Sequence, residues 1–162
     1  MKNLIKINLL KILFLSVAVT SLSIANAQDA KQASLQKMIT ARQFVFKAQT
    51  VLPLRGSTRN LTSDYDLRLS GDSLISYLPY FGRAYSAPLD PNESGLQFTS
   101  TDFTYNVQKK KKGWDITILP KDTRDVRQMF LSISNSGYAR LQVTSNSRDG
   151  IAFNGYIDKM KQ

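Results

Sequence analysis

Apolar and polar positions alternate with period two along most of the chain after residue 43. Phe44 to Leu52 (FVFKAQTVL) is β-branched and aromatic and stops at Pro53. Tyr65 to Leu69 alternates, turns at Ser70-Gly71-Asp72-Ser73, and resumes as Leu74 to Leu78. Leu96 to Thr99 is short, and Asp102 to Lys109 alternates through Phe103, Tyr105 and Val107. A basic turn leads into Trp114 to Ile118, again with period two. Arg127 to Ser134 and Tyr138 to Ser145 flank the hairpin signal Asn135-Ser136-Gly137, and Ile151 to Ile157 closes the series. Such spacing predicts about seven or eight short strands in a β-rich α+β domain, an antiparallel sheet curled into a barrel or sandwich. No βαβ spacing occurs, which argues against a parallel sheet. Only residues 29–42 (DAKQASLQKMITAR) carry a helical period, with Leu35, Met38, Ile39 and Arg42 on one face and Asp29 placed to cap the start. This helix, about 30–42, is expected across one end or face of the sheet.

The first 27 residues read differently. Lys2, Lys6 and Lys11 precede an apolar run from Ile12 to Val19, and Ala25-Asn26-Ala27 gives a small-x-small cleavage pattern. A bilayer span needs about 20 apolar residues, and Ser16, Thr20, Ser21 and Ser23 break this run. The pattern predicts a signal peptide over 1–27, cut after about Ala27, and one domain over 28–162. The expected product is periplasmic or secreted and keeps no transmembrane anchor.

Charge and composition narrow the chemistry. The segment 1–27 holds three of the 22 basic residues and none of the 12 acidic ones, so its removal lowers the net charge from +10 to +7. The chain has neither Cys nor His. Ser-His-Asp and Cys-His nucleophiles, histidine zinc sites and thiol redox chemistry are thereby excluded, and the sequence calls for no cofactor and no bound metal. Carboxylates, Lys, Tyr and Ser remain, and the catalytic alternative kept here is a hydrolase with two facing Asp carboxylates. Asp64-Tyr65-Asp66 lacks the further ligands of a calcium loop, and Leu89 to Gly95 (LDPNESG) is a weak calcium candidate.

Tyr77-Leu78-Pro79-Tyr80-Phe81-Gly82-Arg83-Ala84-Tyr85 packs four aromatic rings, a proline and a glycine into nine residues. Pro79 cannot donate to a β-ladder and Gly82 permits a sharp turn. Two readings follow. Tyr80, Phe81, Arg83 and Tyr85 form a ligand or partner surface, or the segment is a strand corner plugged by aromatics with Arg83 tied to loop carbonyls or an Asp. On this nonapeptide, the leader, the length and the hairpin with Trp114, the chain resembles a domain-of-unknown-function family of exported Bacteroidota proteins. That resemblance implies a compartment and a compact β-rich domain, and no activity.

Lys109, Lys110, Lys111 and Lys112 precede Gly113 at a predicted hairpin tip. Such a run is a solvated tip that discourages aggregation, or a contact for an anionic glycan or lipid surface. Export and the lack of a converging basic and aromatic surface argue against nucleic acid. The function expected from sequence is a non-catalytic binding or accessory domain of the envelope, whose partner is an envelope protein, a small ligand or an anionic surface. A carboxylate hydrolase and a structural subunit docking through a sheet edge are the alternatives.

Overall fold

The computed structural model describes residues 28–85 and 96–160. A helix, α1, covers residues 28–40. Nine strands follow: β1 (Gln43–Pro53), β2 (Arg59–Ser70), β3 (Ser73–Leu78), β4 (Leu96–Ser100), β5 (Phe103–Lys110), β6 (Gly113–Pro120), β7 (Val126–Ser134), β8 (Tyr138–Ser145) and β9 (Ile151–Asp158). All pair antiparallel in one sheet of order β4-β3-β2-β1-β9-β8-β7-β6-β5. The first and last strands meet side by side through pairs such as Phe46↔Ile157. The two outer strands, β4 and β5, are consecutive in the chain and separated by Thr101-Asp102 alone. The sheet therefore returns on itself as a nearly closed barrel, with nine strands where seven or eight were expected.

Asp122 holds the bend at Thr101-Asp102. Its carboxylate accepts the Ser100 hydroxyl and the backbone N–H groups of Thr101 (2.8 Å) and Asp102 (3.2 Å). These bonds favour the charged form, and the Ser100 bond first of all lowers the Asp122 pKa to about 2.

Alternation fills the barrel with side chains. Trp114, Ile116 and Ile118 point inward from β6, Met129, Leu131 and Ile133 from β7, and Phe44 and Phe46 from β1, all buried. Each large side chain so buried contributes roughly 1.5–3 kcal/mol. The helix plugs one end: Leu35 and Ile39 are buried, Trp114 Nε1 donates to Gln36 Oε1 at 2.8 Å, and the Tyr105 hydroxyl donates to the Ile39 carbonyl at 3.1 Å. It stops at residue 40, two residues short of the sequence expectation. Arg42 takes φ 53 and its carbonyl accepts the Gly71 N–H, so it belongs to the turn into β1 and not to the helix face. Asp29 lies inside the first helical turn. The loops after β1, β6 and β8 lie at the opposite end of the barrel with residues 79–85, the described part of the segment after β3, which carries the aromatic residues.

Candidate functional site

The strand β3 buries Leu74, Ser76 and Leu78, then ends before Pro79, which removes the donor a further ladder bond needs. Beyond it the chain crosses to the β8–β9 turn and pairs with it. Ala84 forms a bridge with Arg148, flanked by Tyr85 N–H to Ser147 O (2.7 Å) and Asp149 N–H to Arg83 O (3.0 Å).

Tyr80 pins this crossing. Its single hydroxyl proton is shared between two carbonyls, those of Arg83 at 2.8 Å and Asp149 at 3.0 Å. The Arg148 guanidinium lies 5.1 Å from the Tyr80 ring centroid and also pairs with Asp125 at 2.9 Å. Burial, and then the Asp149 charge, raise the Tyr80 pKa. Gly82 is dictated by the same packing, because a Cβ there would stand 2.5 Å from the Tyr80 hydroxyl oxygen. Tyr85 reaches back so that its hydroxyl donates to Asp149 Oδ1, and that bond is the main cause of its raised pKa. The positive charges of Arg55 and Arg83 act against the rise.

The four residues singled out from sequence therefore divide. Tyr80 is half-buried and structural. Phe81, Arg83 and Tyr85 stay exposed, with Tyr85 at 69 %. It is the Arg83 carbonyl that the loop uses; the guanidinium stands on the surface. Arg59, from the start of β2, covers the Phe81 ring at 5.3 Å. The sequence had not singled out Arg55, Arg59, Asp125, Arg148 or Asp149. The Ser-Arg-Asp-Gly run at 147–150 reads as an ordinary solvated turn, and nothing local announces that Asp149 is buried.

The lysine run divides as well. Lys110 and Lys112 line a groove on the outer sheet face, while Lys109 and Lys111 are exposed outside it. Of the two calcium candidates, Leu89 to Gly95 lies outside the described residues. The Asp66 carboxylate is held between Lys47 (3.2 Å) and Arg68 (3.0 Å), an arrangement that leaves Asp64 exposed beside it. Among the described residues no three acidic side chains gather as a metal cage would require.

The model of a domain of unknown function, DUF4251, matches residues 26–157. The chain belongs to the DUF4251 family. A solved DUF4251 family protein from Bacteroides eggerthii DSM 20697 is similar in structure, with a TM-score of 0.58 over 82 % of this chain and 91 % of that one, at 15 % identity. At that identity the likeness speaks for the fold. No protein of curated function matches the chain. The family's fold is thus a filled, helix-plugged barrel in this member, with its aromatic segment zipped to the last hairpin.

Proposed function

We propose that this DUF4251 protein is an exported, non-catalytic binding domain of the bacterial envelope, freed from its leader after about Ala27. It meets a protein partner through the loop end of the barrel, with Phe81, Arg83 and Tyr85 in contact and Arg55 and Arg59 beside them. The observation that carries this reading is the division of labour in the loop. Tyr80, Arg148 and Asp149 hold the backbone rigid, and exposed aromatic and guanidinium groups are displayed on that frame. Rigid aromatics with arginine are the residue types that dominate binding energy at protein interfaces. Three arginines suit a partner surface bearing carboxylates. The carboxylates of this cluster serve as struts, Asp125 to Arg148 and Asp149 to Tyr85, which supports binding over hydrolysis. The two sheet edges run into each other at the Asp122 bend, which gives edge docking less support.

A photo-crosslinking residue placed at Phe81 in the native host tests the proposal. Adducts to one partner are expected from position 81 and not from exposed Gln142 on the outer face of β8. An equal pattern from both positions contradicts it. Recovery of the protein from the envelope with its N-terminus near Gln28 tests the export part separately.

A further inference from the structure

A second surface lies on the outer wall of the barrel, away from the loop end. Register places Asp115, Ser132, Arg140 and Asn154 directly opposite one another on four neighbouring strands, β6, β7, β8 and β9. They form the floor of a groove of about 540 Å³ that Lys110, Lys112 and Tyr138 also line. Gly113 opens the floor beside Lys110: it pairs with Ser134, and a Cβ there would fall 1.8 Å from the Ile133 carbonyl oxygen. No side chain other than glycine's fits, so the wall stays low at this point. Tyr138 is 68 % exposed and stands opposite Tyr156 on β9, which is 37 % exposed.

Carboxylate, hydroxyl, guanidinium and amide in one row offer donors and acceptors at the spacing of neighbouring strands, about 4.8 Å. Asp115 is already occupied by the Ser132 hydroxyl at 2.9 Å and by Lys110 at 3.7 Å. The charge left over is positive, from Arg140 and Lys112. The flat face of Tyr138 beside a polar row suits a sugar ring, which has an apolar face and a rim of hydroxyls. A membrane surface would instead ask for protruding apolar groups around the lysines.

We infer that this groove binds an acidic polysaccharide, with a sugar ring stacked on Tyr138 and its carboxylate or sulfate on Arg140, and with Lys110 and Lys112 at the rim. The guanidinium fork matches a planar carboxylate in two parallel bonds. The inference rests on a different face from the partner site and stands whether or not that site is correct.

Binding of the purified protein to immobilised polygalacturonate, dextran sulfate and neutral dextran decides it. Binding to one or both acidic polymers and not to neutral dextran is expected, and the preferred polymer distinguishes carboxylate from sulfate. Tyr138→Ala and Arg140→Ala should each weaken it at least tenfold, with Tyr138→Phe close to wild type. Lys111→Ala, which removes equal charge outside the groove, should change it less than twofold. Equal loss from Arg140→Ala and Lys111→Ala overturns the inference, because attraction is then charge alone. Tyr138→Ala without effect overturns it too, as does binding to phosphatidylglycerol vesicles with none to either polymer. All three substituted residues are exposed, and circular dichroism melts check that each variant is folded.

Discussion

At the scale of single residues, the aromatic segment shows how one side chain can be structural while its neighbours remain available. The Tyr80 hydroxyl joins two stretches of backbone that no regular ladder joins. Tyr80→Phe keeps the ring under Arg148 and loses both hydroxyl bonds, so the Asp149 carbonyl loses this donor while the Arg83 carbonyl keeps only the Asp149 N–H. A loss of about 1–2 kcal/mol is expected in urea unfolding, with faster hydrogen exchange at the Asp149 amide. An unchanged midpoint would show that the hydroxyl is not what closes the loop. The sequence made Tyr80 and Arg83 conspicuous together, since Pro79 and Gly82 mark the same corner. It did not separate them, because the partner of Tyr80 lies 69 residues away at Asp149. Local patterns do not carry that distance. Arg148, the other half of the clamp, was hidden for the same reason.

At the scale of elements, alternation made the strands legible almost to the residue, from Trp114 to Ile118 inside β6 and Tyr138 to Ser145 as β8. The front half of β2, residues 59–64, was not legible. It carries mostly exposed polar residues, and the pairing shifts register between Ala48 and Thr50. The end of α1 was also misplaced, because a helical period cannot reveal the positive φ at Arg42 that ends it. Two predictions belong here. Gln36→Ala leaves the buried Trp114 N–H without its acceptor and should cost about 1–3 kcal/mol, with the loss seen as a lower thermal midpoint and freer exchange in α1. An effect confined within error would mean that α1 does not depend on this bond. The second concerns the bend. Asp122 has its folded pKa depressed to about 2, so its stabilising effect is present above the ordinary carboxylate pKa of about 3.9 and is lost as pH falls toward 2. The stability gap between wild type and Asp122→Asn should be widest above pH 5 and close between pH 4 and pH 2. A gap independent of pH contradicts the charged clamp.

At the scale of the molecule, the barrel separates two kinds of surface. Its interior is spent on packing, with Trp114, Phe44, Phe46 and Phe153 filling the space a carried ligand would need. The proposed contacts lie on the outside, at the loop end and along the outer wall. The basic balance, +10 over the chain and +7 over residues 28–162, would suit acidic partners at both proposed places. The measurement that bears most directly on the loop-end proposal is the Arg83→Ala variant, read for melting temperature and for crosslinking from position 81 together. The guanidinium is exposed, so the melting temperature should stay within about 2 °C of wild type while the adduct is lost. A large fall in melting temperature with the adduct retained would contradict the account, and would make Arg83 a structural residue of the corner.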